Sequence, residues 1–350
     1  MSGKKFVKVS VSVTLVLLIA VAALQIAVDP LFQYHLPWFG LKADVFNERY
    51  QNPGVAKQFD YDNVIMGNSM SENFLISDAE DTFGGTTVKL TLSGFGAYEW
   101  TKILDIIQQS DKKPKNIMFN IDPYVFENAS DELNNELPDY LYDNNVLNDA
   151  NYLWNFTALR SFTSVFLKNN LQHNVHDYNS VFVWGKDMPH GRDITLNNYQ
   201  RPEKSKSIPD SKQYVQDADK VIGYLMPYID SMKDTNFVFF YSPFSMLYWD
   251  GQNRQNAIEA RKASYIAACE KLISCSNVDV YCWADDEMLN IMSNLDNYRD
   301  EAHYSADISK IILARIKDRE GLLSKSSYRQ FFDELFDWMK HYDFDALFCA

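Results

Sequence analysis

Between Lys8 and Asp29 the chain carries no charged residue, and Val, Leu, Ile and Ala dominate the interval. A helix needs about 20 such residues to cross the hydrocarbon core of a bilayer, so residues 9–28 are predicted to form one membrane-spanning helix. Lys4, Lys5 and Lys8 precede it. Positive residues stay on the cytoplasmic side, which predicts a cytoplasmic N-terminus and an extracytoplasmic remainder. A cleaved signal peptide is the competing reading, because Ala20-Val21-Ala22 has the small-x-small form of a processing site. The apolar run continues through Ala23, Leu24, Ile26 and Val28, whereas a signal peptide turns polar at its cleavage point, and this favours an uncleaved anchor.

The rest of the chain is acidic. With 33 Lys and Arg against 47 Asp and Glu, the net charge is −14, which argues against binding nucleic acid or another polyanion by general attraction. The run around Lys204, Lys206 and Lys212 is interleaved with Ser, Pro and Asp and reads as a solvated loop. The four cysteines, Cys269, Cys275, Cys282 and Cys349, lack the paired spacing of zinc or redox sites, and no metal or cofactor is expected. A Cys275–Cys282 disulfide is permitted outside the cytoplasm, but Cys269 and Cys282 read equally well as buried apolar residues. With 23 Phe, 21 Tyr and 7 Trp, the aromatic residues suffice for a substantial core, with carbohydrate-facing grooves as a lesser use.

Short β-prone runs recur at residues 61–66, 87–92, 116–121, 236–241 and 278–282. Helical spacing of apolar residues fills the intervals 98–109, 213–232 and 253–273. Strands alternating with helices predict right-handed crossovers and an α/β fold. The expected architecture is a three-layer helix-sheet-helix sandwich with a parallel, flavodoxin-like sheet of about five strands, preceded by the membrane helix. The domain reading is a cytoplasmic tip and anchor over 1–28, a membrane-proximal connector over 29–60, a main domain over 61–325 and an amphipathic C-terminal helix over 326–350. Within the main domain, the Asn-, Asp- and Tyr-rich interval 124–211 breaks the rhythm and is expected as an insertion. The apolar stripe Phe331, Phe332, Leu335, Phe336, Trp338, Met339 and Tyr342 gives the C-terminal helix a face to dock on the body, with partner or membrane-surface contact as the lesser alternative.

Two short blocks carry chemistry. Gly67-Asn68-Ser69 ends the first apolar run, and Asp300-Glu301-Ala302-His303 sets a carboxylate three residues before a histidine. A serine hydroxyl becomes a useful nucleophile when an imidazole takes its proton, and the imidazole works well when a carboxylate fixes its tautomer and orientation. Ligands in parallel sheets sit at the carboxyl ends of strands, where Ser69 falls. Each block alone is common: Gly-Asn-Ser is a good turn tripeptide. Asp285 and Asp286 read as helix caps ahead of Met288, and His173 and His176 as surface residues of a polar loop.

Taken in order, Ser69 after strand one, Gly94 and Gly96 after strand two, Asp122-Pro123-Tyr124 after strand three and Asp300-Glu301-Ala302-His303 near the end resemble the SGNH/GDSL hydrolase superfamily. The text from Asn294 through Asp300 to Ser305 is similar to a membrane-anchored branch that works beside membrane-bound O-acyltransferases, as in teichoic-acid D-alanylation and alginate acetylation. The resemblance implies Ser69 as nucleophile, His303 as general base and later acid, Asp300 as its orienting partner, and Gly94 with the Ser69 N–H as oxyanion donors. Asn120-Ile121-Asp122 stands where that family has Gly-x-Asn. Asn120 serves as a donor only if it faces the cleft, and alternation puts it on the same strand face as Asp122. Asp122 is given a substrate-hydroxyl or structural role.

The expected function is thus an extracytoplasmic serine-dependent O-acyltransferase or acylesterase acting on sugar hydroxyls of an envelope polysaccharide through an acyl-Ser69 intermediate. A membrane-bound O-acyltransferase is the expected partner, the membrane is bound through the N-terminal helix, and the setting is a bacterial cell membrane. The alternative is a non-catalytic assembly or carbohydrate-binding subunit of such a complex.

Overall fold

The computed structural model describes residues 2–185 and 188–349; the remaining positions of the intervals 1–28, 124–211 and 326–350 lie outside it. Among the described residues five strands form one sheet: β1 (Asn63–Met66), β2 (Thr87–Lys89), β3 (Asn116–Ile121), β4 (Asn236–Tyr241) and β5 (Val278–Tyr281). Their order is β2-β1-β3-β4-β5 and every pairing is parallel. The protein is therefore α/β, as the alternation predicts. Strands covered on both faces need apolar side chains on both, and Val64, Ile65, Ile117, Phe119, Phe237 and Phe239 are all buried. Phe119 and Phe239 stack across the β3–β4 pair at 5.3 Å.

Helices flank the sheet in two groups. Ala97–Gln109, Ser211–Ser231, Ile258–Ile273 and Tyr328–His341 pack in a row, and Ile76–Phe83 packs on Ala306–Lys317. The C-terminal helix docks through Phe332, Leu335, Phe336 and Met339, with Phe332 and Phe336 edge-on to Tyr265 at 5.9 and 5.3 Å. The single helix expected over 253–273 is broken instead. Met246–Arg254 ends, Asn256 takes a left-handed φ of 55°, and Ile258–Ile273 begins a new axis. Asparagine tolerates that region where most residues do not.

The described chain forms two compact units. One contains the N-terminal residues up to Asp60 with Asn135–Tyr178, and the other contains Tyr61–Asn134 with the residues from Asn179 onward. The interval 124–211 is thus divided between them. In the first unit the N-terminal helix runs Gly3–Val28 and is long and apolar enough to cross a membrane. Within the 29–60 connector, Glu48–Gln58 is helical around Pro53. Gly54 there lies so close to the chain that a Cβ would meet the Leu31 carbonyl oxygen at 1.9 Å. His176 rests its Nδ1 on the buried Asp44 carboxylate at 2.7 Å. All four cysteines are free thiols, with Cys269 and Cys282 buried.

Candidate active site

β1 ends at Met66, and the chain turns sharply into a 3-10 turn, Ser69–Ser71. Gly67 has φ 135°, and a Cβ added there would lie 1.9 Å from Asn120 Oδ1. No residue with a side chain fits at that turn. Asn68 caps the 3-10 turn, its Oδ1 accepting from the Met70 N–H at 2.9 Å. Ser69 opens the turn, a position whose N–H has no intrahelical acceptor.

Beneath this turn lies a closed polar network. Asn120 Oδ1 accepts from the Asn68 N–H at 3.1 Å and the Ser71 hydroxyl at 2.8 Å. Its amide nitrogen donates to Asn68 Oδ1 at 3.0 Å and to Asp122 Oδ2. Asp122 Oδ2 also accepts from Asn68 Nδ2 at 3.2 Å, while Oδ1 caps the helix Pro123–Glu127 by accepting from the Val125 N–H at 3.0 Å. Asn120 and Asp122 are fully buried. Asn120 and Asp122 therefore meet on one face of the strand. Both amide hydrogens of Asn120 are used inside the network, so it supports the Ser69 turn from below rather than facing a ligand. Burial pushes the Asp122 carboxyl up to about 6, against the downward pull of the Val125, Asn68 and Asn120 donors.

The histidine arrives on a loop closed by an isolated antiparallel bridge between Tyr298 and Tyr304. Asp300 Oδ1 accepts from the backbone N–H groups of Ala302 and His303 at 3.0 and 2.8 Å, an Asx-type turn that fixes the carboxylate against the ring. His303 Nδ1 lies 3.0 Å from Asp300 Oδ1 and 2.9 Å from Oδ2, and Nε2 lies 2.8 Å from Ser69 Oγ. With Nδ1 facing a carboxylate, the ring proton resides there and the Nε2 lone pair is left to accept the serine O–H. Burial raises the Asp300 carboxyl, but its bonds to the His303 ring and to the His303 and Ala302 N–H groups outweigh this, and the net position is below the usual range. Ser69, Asp300 and His303 are all part-exposed, so an incoming molecule can reach the row.

Several neighbours carry no signal in the sequence. The Trp184 indole stands edge-on to the His303 ring at 5.2 Å and donates its N–H to the Ser69 carbonyl at 3.3 Å. His190 stacks on Trp184 at 6.2 Å, and Arg299 lies 5.6 Å over the same ring. Asn73 holds both sides of the site, donating to the Tyr304 carbonyl at 3.2 Å and accepting from the Gly185 N–H at 2.8 Å. Lys89, buried at the end of β2, donates to the carbonyls of Glu72 and Val181 at 2.6 and 2.7 Å. Gly94 follows β2 as an exposed residue with φ 76°, and a Cβ there would touch nothing. Backbone conformation, not crowding, calls for glycine at that position. Asp285 caps the helix Asp286–Ser293, as expected, and pairs with Arg315 at 2.6 Å.

A cleft of about 460 Å³ opens beside the Asp300–His303 loop, at the carboxyl ends of β3 and β4. Tyr124, Tyr199, Tyr248, Gln252, Gln255 and Glu301 line it, and no Lys or Arg does among the described residues. Glu301 reaches Tyr124 Oη at 3.1 Å. Burial holds its carboxyl above the usual range, and the neighbouring Asp300 charge adds to this. Aromatic faces with amide groups and the Glu127 and Glu301 carboxylates between them suit a polar, ring-shaped ligand better than a polyanion.

Fold and site together define a parallel α/β protein with a Ser–His–Asp row at the crevice between the ends of β1 and β3, where the strand order reverses. No family model matches the chain, and neither a curated protein nor a solved structure does.

Proposed function

We propose that this protein is a serine-dependent O-acyltransferase or acylesterase of the SGNH type, acting outside the cytoplasm on sugar hydroxyls of an envelope polysaccharide. The observation that carries the reading is the unbroken row Ser69 Oγ, His303 Nε2, His303 Nδ1 and Asp300 carboxylate. In it, Ser69 Oγ attacks an acyl carbonyl as its proton passes to Nε2. The tetrahedral intermediate collapses to an acyl-Ser69 ester, and His303 returns the proton to the departing alcohol. A second hydroxyl, from sugar or water, then gives its proton to Nε2 and attacks the ester; the acyl–Ser69 bond breaks as His303 returns that proton to Ser69 Oγ, which releases the new ester or the free acid. The neighbouring cleft favours a sugar as that second hydroxyl, and its lack of cationic residues favours a neutral acceptor. The helix Gly3–Val28 supports an anchor, and the three lysines before the apolar run favour the site lying opposite the cytoplasm. A membrane-bound O-acyltransferase is the partner this reading supplies as acyl donor.

One observation favours a second reading, a non-catalytic assembly or carbohydrate-binding subunit. Asn120 has both amide hydrogens occupied, so oxyanion stabilisation falls to backbone donors alone. Hydrolysis of p-nitrophenyl acetate by the purified full chain separates the two. Ser69→Ala and His303→Ala should each lower kcat/KM by about 10³-fold or more while both variants remain folded. Equal turnover in the wild type and both variants would leave only the binding role.

A further inference from the structure

The N-terminal helix is accompanied along part of its length by a second apolar element. Residues 150–163 turn through the short helices Ala150–Leu153 and Phe156–Ala158 and the π-helical turn Leu159–Thr163. The Trp154 indole N–H donates to the Leu18 carbonyl at 2.9 Å. Thr14, Leu17 and Val21 of the long helix share an apolar groove with Trp154, Phe156 and Leu159. Nearer the end of the helix, the fully buried Gln25 donates to the Tyr152 carbonyl at 3.3 Å and accepts from the Thr163 hydroxyl.

Height along the helix decides what surrounds this element. Lys8 is the last charge before the apolar run and Asp29 the first after it. At 1.5 Å per residue they stand about 31 Å apart, against a hydrocarbon core of about 30 Å. Leu18 lies about 15 Å from Lys8 and about 16 Å from Asp29, near the middle. Even if the buried Gln25 marks the upper boundary, Leu18 is still about 10 Å inside it. A side chain bonded to the Leu18 carbonyl is then below the headgroups whenever the helix crosses.

The tip is built for such surroundings. Phe156 is 72% exposed and Trp154 48% exposed in the isolated chain. In lipid, backbone groups have to be satisfied internally. Here the Trp154 N–H bonds the Ala150 carbonyl, the Leu159 N–H bonds the Asn155 carbonyl, and Asn155 Oδ1 accepts from the Thr157 and Ala158 N–H groups. Arg160, exposed on the next turn, has the long stem that lets a guanidinium reach phosphates from a buried position.

We propose that residues 152–159 are a second membrane-embedded element, a wedge entering the leaflet on the Asp29 side, with lipid acyl chains covering Trp154 and Phe156. The inference rests on the anchor reading of Gly3–Val28 and is independent of the chemistry at Ser69.

The test uses the full chain reconstituted into phosphatidylcholine vesicles that contain lipids brominated midway along the acyl chain. Tryptophan emission of the wild type should contain a component quenched by bromine and insensitive to aqueous iodide, and Trp154→Phe should lose it. Equal bromine quenching in both proteins overturns the wedge. As a second measurement, p-benzoylphenylalanine in place of Phe156 should photocrosslink to lipid in native membranes. Crosslinking to a protein, or no adduct, overturns the wedge. Carbonate extraction reports the helix separately. Release into the soluble fraction removes the anchor reading itself and the wedge with it, whereas retention with failed quenching removes the wedge alone.

Discussion

Tyr304 donates its phenol O–H to the Met70 carbonyl at 3.1 Å, so the residue after the site histidine is tied to the residue after the site serine. Both rings of the loop bridge are buried, and Tyr298 does the same for β4 by donating to the Pro243 carbonyl at 2.6 Å. Two stretches 234 positions apart in the sequence are thereby held in register. Tyr304→Phe leaves a buried carbonyl without its donor, an expected cost of about 1–3 kcal/mol in urea denaturation. If the bond sets the Ser69–His303 spacing, kcat for p-nitrophenyl acetate should fall more than KM rises. No change in either quantity would mean that the loops find their places without it.

Asp300→Asn keeps the shape of the loop but offers an N–H to the ring, which favours the tautomer with its proton on Nε2 and removes the acceptor for Ser69. A loss of about 10³–10⁴ in kcat is expected from this alone. The wild-type carboxyl sits below its ordinary range in the folded protein. Its stabilising contribution is therefore present above that range and is lost as the pH falls through the folded value. The wild type should be the more stable protein at neutral pH, with the advantage shrinking in acid. Melting temperatures of the two proteins across the acid range measure this, and an advantage that grows in acid would contradict it.

Asp122 has the opposite sign. Its carboxyl is held up to about 6 by burial, so the folded protein binds this proton more tightly than the unfolded chain does. Stability from this group is present below the ordinary carboxylate range and falls as the pH rises through about 4 to 6, by at most about 3 kcal/mol. Asp122→Asn, which retains a competent cap, should lack that slope. Urea midpoints of the two proteins at about pH 4 and about pH 7 give the comparison, with the wild type relatively stronger at the lower pH. Parallel curves would show that Asp122 does not carry the effect.

The sheet was legible because its strands are short apolar runs between periodic helices. The expected bounds 116–121 and 236–241 coincide with β3 and β4. The break near Asn256 was not legible, since both helices keep apolar spacing and only one left-handed residue separates them. The helix around Pro53 was hidden by a residue that normally ends helices. At the site, Ser69, Asp300 and His303 stood out through residue type and spacing. Trp184, His190, Asn73 and Lys89 did not, because each reaches the site from a loop or strand end by contacts that no local pattern encodes. Asn120 is intermediate. Strand alternation placed it beside Asp122, but nothing in the sequence told that Asn68 would occupy its amide.

The network of Asn68, Ser71, Asn120 and Asp122 under the Ser69 turn also guides any redesign of the site. Its groups bond one another, and Gly67 leaves no room above Asn120. A library meant to change what the site accepts should hold those five positions fixed and vary the rim instead, at Tyr124, Tyr199, Gln252 and Gln255, where new side chains meet solvent before they meet the foundation.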